Sequence, residues 1–145
     1  MKPSTLFSPE QQQAIVTAIR KAEQSSSVEI RIHVENHCPG TVLDRAVVVF
    51  DELGMRQTAG RNGVLVYVAL KDHLSAIIGD ENVNCYVHKE FWEECQTAMT
   101  TRFVQGAFAD GITAVIGLLE EELKTHFPIA PDDRNELPDQ ISFGE

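Results

Sequence analysis

From Pro9 onward the apolar positions fall three or four residues apart. Ile15, Ala18, Ile19 and Ala22 mark one face of a predicted helix of about four turns. "SPEQ" at 8–11 supplies its start, with Ser8 as N-cap, Pro9 in the first position and Gln11 reaching back to close a capping box. After "QSSS" the period changes to two. In "VEIRIHVE" Ile30, Ile32 and Val34 take one side and Glu29, Arg31, His33 and Glu35 the other, which predicts a strand with one covered face. Helical spacing returns in "VLDRAVVVFDELGM" through Leu43, Ala46, Val47, Phe50 and Leu53, with Gly54 as the stop. "VLVYVAL" is nearly continuous in apolar residues, the pattern of a central strand buried on both faces, and "KDH" turns it into "LSAIIG" as a hairpin. Two further helices are predicted, from Lys89 to Gln105 and across "AFADGITAVIGLLEEELKTHF". Pro128 closes the second, ahead of the Pro- and Asp-rich "PIAPDDRNELPDQISFGE".

The predicted order is α-β-α-β-β-α-α, one small α/β domain over residues 1–145. The first strand, its crossover helix and the second strand form a right-handed parallel unit. The hairpin reverses the third strand, so Asp80 at its end comes beside Glu29 and Asn62 at the beginnings of the first two. The last two helices, each roughly 25–30 Å long, run away from that end and return to it. Residues 128–145 are therefore expected to form an acidic, Pro-rich tail packed near Glu29 and Asp80.

Composition narrows the function. The net charge of −10, from 22 acidic and 12 basic residues, repels a phosphate backbone and disfavours nucleic-acid binding. No apolar run approaches the ~18 residues of a membrane span, and "MKPSTLFSPEQQQ" has no apolar leader. Three cysteines at irregular spacings argue against a disulfide framework, so a soluble, cytoplasmic protein is the expectation. Acidic surface mostly serves solvation; placement decides whether some of it binds a cation. In "GDENVN" Asp80, Asn82 and Asn84 alternate as at the opening of a calcium loop. The loop is not an EF-hand, because Cys85 stands where Gly is needed, Phe91 where Glu is needed, and a strand precedes it. What remains is a hard-oxygen set, Glu29, Asp80, Asn84, Asp132 and Asp133, suited to calcium, or alternatively magnesium, rather than zinc. Cys85 and His88 have the spacing of half a zinc site with no second pair to answer it.

"VEIRIHVE", "DRAVVVFDELGM", "TAGRNGVLVYVAL", "AIIGDENVN", the helical pair and "HFPIAPDDRNELPDQIS" stand in the order and spacing of a known family. Over roughly residues 10 to 142 the chain resembles the TPM-domain family, which includes thylakoid-lumen phosphatase-like proteins and bacterial relatives. The resemblance implies a three-layer α/β/α sandwich with a small mixed sheet. It also implies calcium held by acidic residues at one end, and phosphatase activity in some members. By position, Glu29 corresponds to the family's Glu opening the first strand and Asp80 to its Gly-Asp after the third. Asp132 and Asp133 correspond to the paired Asp before Asn-Glu-Leu-Pro. Val28 and Asn82 depart from the family's usual glycines, and both changes touch the loops carrying these ligands.

No nucleophile for phosphoester hydrolysis stands out. A cysteine phosphatase needs Arg six positions after its Cys, where Cys38, Cys85 and Cys95 are followed by Asp44, Phe91 and Thr101. No glycine-rich phosphate cradle follows a strand; "AGRNG" precedes one. The expectation is a cation-binding domain without catalysis. A metal-dependent acid phosphatase and a protein-interaction module are the alternatives.

Overall fold

A computed structural model describes residues 1–129 and 136–145. Asp132 and Asp133, two of the expected cation ligands, lie outside the described residues. A single 3-10 turn at Pro3–Leu6 leads into α1 (Pro9–Ser25), which opens on the expected capping box: Ser8 accepts from the Gln11 N–H, and Gln11 accepts from the Ser8 N–H. β1 (Glu29–Glu35), α2 (Val42–Glu52) and β2 (Gly63–Ala69) make the parallel crossover unit. β3 (Leu74–Gly79) returns antiparallel, and the four-residue helix α3 (Glu81–Asn84) leads to α4 (Lys89–Val104) and α5 (Phe108–His126). α2 ends at Gly54, whose φ of 71° is left-handed, as a helix stop requires.

The sheet has the strand order β3-β2-β1-β4, where β4 is Ser142–Gly144. β1 and β2 pair in parallel from Glu29 opposite Gly63 to Glu35 opposite Ala69. Each face of the sheet is covered. Ile30, Ile32, Val34, Val64, Val66 and Val68 pack with α1, α4 and α5 in the larger core. Leu65, Tyr67, Ala69 and Ala76 pack under α2 with Ala46, Val49, Phe50 and Met55 in the smaller. The expected α/β/α sandwich with a mixed sheet is thus the observed fold, and β2 is central and buried at all seven positions.

The structure corrects two expectations. β1 does not leave one face to solvent; all seven of its residues are buried. Most of its polar side finds side-chain and backbone partners from α2, β2 and the C-terminal segment, which the alternation alone cannot reveal, while Glu29 Oε2 and Arg31 Nε stay buried without one. Nor do residues 136–145 form only a tail. They supply β4, which pairs His33 with Ser142, Val34 with Phe143 and Glu35 with Gly144. α5 brings the chain back to the expected end: the Ser27 N–H donates to the Phe127 carbonyl, and Ser26 bridges Pro128.

Candidate functional site

Three strand ends meet where α5 returns. Glu29 begins β1 opposite Gly63, and the Asp80 N–H donates to the Gly63 carbonyl, so Glu29, Gly63 and Asp80 form one row across the sheet. The period-2 pattern puts Glu29 and Asp80 on the α2 side, two strand spacings (roughly 9–10 Å) apart, with a glycine between them.

Asp80 is 4% exposed and fully engaged. Arg61 grips it with two bonds, Nε to Oδ2 at 3.0 Å and Nη2 to Oδ1 at 3.1 Å. The Glu81 N–H donates to Oδ1 at 2.7 Å, which makes Asp80 the N-cap of α3. "DENVN" is therefore a capped helical turn. Asn84 points its amide at the Gly79 carbonyl, 2.7 Å away. Arg61 has a left-handed backbone (φ 49°), unfavourable for a side chain of its size, and its carbonyl and that of Gly60 accept bonds from Asn82.

Glu29 is different. It is 3% exposed; Oε1 accepts from the Glu136 N–H at 2.5 Å, while Oε2 is buried with no hydrogen-bond partner. A buried, unpartnered carboxylate oxygen costs free energy, so it marks either a protonated acid or a place for a cation. Asn62, at the start of β2, likewise has a buried Oδ1 without a partner. Burial raises the Glu29 pKa and the Glu136 and Asp139 charges add to the rise, while the Glu136 N–H and the neighbouring Glu23 side chain act to lower it.

Around Glu29 the carboxylates crowd. Glu23, in the last turns of α1, accepts from the Ile30 N–H at 3.0 Å, on the edge of β1 that β4 does not reach. It also shares a hydrogen bond with Asp139, and burial with that bond pushes its pKa up to about 10. The direction favours the protonated form of Glu23, facing Asp139. Asp139 is also paired with Arg20 at 3.3 Å, and the Arg31 guanidinium donates to the Gln140 carbonyl at 3.1 Å. The Glu136 side chain accepts from the Ala59 N–H at 3.1 Å. Residues 136–140 are thereby fastened to the edge of β1 and to the loop before β2.

The structure thus places Glu29, Asp80 and Asn84 at the same end of the sheet and gives Asp80 an arginine partner. Among the described residues, no group of three or more carboxylate, imidazole or thiolate side chains is arranged to hold a metal ion. Glu23 and Asp139 join the neighbourhood of Glu29 although the sequence did not single them out. The available signal was Glu23 six residues before Glu29, at the end of a helix feeding the strand.

A second polar cluster lies at the opposite ends of β1 and β2. Glu35 is 5% exposed, receives two bonds from Arg45 at 2.8 and 2.9 Å and one from the Tyr67 hydroxyl, and lies 3.1 Å from His33 Nε2. Burial alone would raise its pKa, but these bonds outweigh it and hold Glu35 down to about 2. Burial lowers the pKa of His33, which Glu35 opposes. His33 Nδ1 lies 2.8 Å from Ser142 Oγ, so the cluster fastens β4 to β1.

The TPM domain model matches residues 1–122. Among solved structures, the chain is similar to the solution structure of BA42 protein from the psychrophilic bacterium Bizionia argentinensis. The two are 41% identical over 95% of each chain, with a TM-score of 0.89. Two more distant structures share the fold. The N-terminal domain of a P. gingivalis protein is 15% identical over 84% of this chain and 79% of that one (TM-score 0.71). The N-terminal domain of cg2496 protein from Corynebacterium glutamicum is 14% identical over 81% and 74% (TM-score 0.66). No curated protein matches. Among the described residues, no helix is long and apolar enough to cross a membrane.

Proposed function

The chain belongs to the TPM domain family, and from that footing we propose that it binds a hard divalent cation, calcium or alternatively magnesium, at the Glu29 end of its sheet. The observation that carries the proposal is the buried Glu29 Oε2 with no partner. Oxygen is the donor type such ions take, and the unpartnered Asn62 Oδ1 at the next strand start is a neutral donor of the same kind. Asp132 and Asp133 stand only four and three residues before Glu136, whose N–H already holds Glu29 Oε1. In this proposal Glu29, Asp132 and Asp133 form the ligand set. Asp80 and Asn84 enter it only if the cation displaces Arg61 from Asp80.

A bound cation would offset the repulsion among these carboxylates in a chain that carries −10. Binding confined to the folded state stabilises it by about 2.7 kcal/mol at ~100-fold excess over Kd. The test is calorimetric titration and thermal melting with calcium on the wild type, Glu29→Gln, Asp80→Asn and the double variant Asp132→Asn, Asp133→Asn. Glu29→Gln and the double variant should lose the calcium-dependent rise. A wild-type melt unmoved by millimolar calcium overturns the proposal.

A further inference from the structure

Ser142 stands opposite His33 where β4 pairs with β1, and Glu35 lies two residues further along β1. Residues opposite one another on neighbouring strands, and alternate residues of one strand, share a face of the sheet. The three side chains therefore line up. Ser142 Oγ is 2.8 Å from His33 Nδ1, and His33 Nε2 is 3.1 Å from Glu35 Oε1. Hydroxyl, imidazole and carboxylate form one chain in which both ring nitrogens are engaged.

The carboxylate fixes the direction of that chain. Arg45 and the Tyr67 hydroxyl donate to Glu35 and keep it ionised, so toward His33 it can only accept. His33 Nε2 must then carry the ring proton, which leaves Nδ1 to accept from the Ser142 hydroxyl. Tyr67 stacks on the imidazole, ring centroids 6.0 Å apart, and holds its plane. The charged and titratable groups facing His33 are Glu35 on its own strand, Arg45 and Glu52 on α2, and Tyr67 on β2. A neutral imidazole between a hydroxyl and an ionised acid is the arrangement that makes a serine nucleophilic. His33 and Glu35 are buried, whereas Ser142 is half-buried on the outermost strand and is the member of the set most open to solvent. Alternate N–H groups of β4 point away from β1, within a residue of Ser142, where a developing oxyanion needs donors.

We propose that Ser142 is an activated nucleophile, with His33 as its general base and Glu35 as the positioning residue, and that it hydrolyses small, neutral carboxylic esters. Ser142 Oγ attacks the ester carbonyl carbon as its proton passes to His33 Nδ1. The bond to the alcohol oxygen breaks, and that oxygen leaves with the proton from His33. Water then attacks the acyl carbon and gives a proton to His33; the bond to Oγ breaks, Oγ takes the proton back, and the carboxylic acid departs. The net charge of −10 disfavours an anionic ester, and a half-buried hydroxyl favours a small one. The cation site lies at the other end of β1 and plays no part in this proposal.

The test uses the full chain without metal, a fluorophosphonate probe mapped by mass spectrometry, and turnover of p-nitrophenyl acetate. The probe should add to Ser142 with loss of fluoride. Ser142→Ala should lose that adduct and about 100-fold or more of the turnover, while its melt stays close to that of the wild type because the backbone pairing of β4 remains. His33→Gln should lose the adduct as well. In the wild type the labelling rate should rise with pH through one step below 6.5 and then level off, as His33, whose pKa burial lowers, becomes neutral. A hydroxyl that only fastens β4 would give no such plateau. Absence of an adduct at Ser142, labelling of His33→Gln at the wild-type rate, turnover unchanged in Ser142→Ala, or a rate that climbs steadily with hydroxide would each overturn the proposal.

Discussion

Replacing Glu23 by Gln tests the acid pair at the end of α1 most directly. Folded Glu23 has its pKa raised from 4.5 to about 10 by burial and by the bond to Asp139. Between those values the folded chain holds a proton that the unfolded chain has lost, so stability falls as pH rises through the window. Each such proton costs about 1.4 kcal/mol per pH unit, or about 2.7 kcal/mol from pH ~6.5 to ~8.5. For a domain of this size that is roughly 8–11 °C in melting temperature. Glu29, raised by burial, adds a slope of the same sign. His33, whose pKa is lowered, acts in the opposite sense only below its unfolded value of 6.5. Cys95, pushed up to about 12 from 9, acts only above the window. Glutamine mimics the protonated acid, because its carbonyl can accept from the Ile30 N–H while its amide donates to Asp139. Urea unfolding of metal-free protein across this pH range should therefore give a shallower slope for Glu23→Gln and greater stability than the wild type at the alkaline end. Parallel slopes for the two proteins would refute a protonated Glu23.

Two further outcomes follow from the same geometry. Calcium binding near pH ~7 should release protons, measured by calorimetry in buffers of different ionisation heat, because a cation beside Glu29 lowers the pKa values that burial raises; Glu23→Gln should release fewer. At the other end of β1, Gly144→Ala would set a methyl 2.7 Å from Glu35 Oε1. Glu35 is held by Arg45, Tyr67 and His33 and cannot yield, so the cost should be about 1–3 kcal/mol in chemical denaturation.

The elements with strong local signals were legible in the sequence. α1 declares itself through Ser8, Pro9 and Gln11, and β2 through its uninterrupted "VLVYVAL". The directions of β1, β2 and β3 follow from the crossover and the hairpin, and so does the meeting of Glu29 with Asp80 at one end. What was hidden depends on partners far along the chain. "ISFGE" has no strand signal of its own; β4 exists because β1 offers an edge and His33 and Glu35 hold Ser142 and Gly144 against it. The polar side of β1 looked solvent-facing because burial of Arg31, His33 and Glu35 is tolerable only with tertiary partners, which periodicity does not encode. The spacing of the turn offered Asp80 as a ligand but did not reveal its pairing with Arg61, which stands 19 residues earlier and bonds both its oxygens.

β4 also sets an order of events. Ser142 bonds to His33 across 109 residues of chain, for only three residues of strand. Closing so long a loop is entropically expensive and returns few bonds, so β4 should dock after β1, β2 and β3 have formed. Contacts made that late leave the folding rate nearly unchanged and act on the unfolding rate. Loosening β4 is thus expected to shorten the lifetime of the native state without slowing its formation. In the molecule that has shed it, β1 as well as β3 presents an unpaired edge, and a sheet open on both sides can propagate from chain to chain.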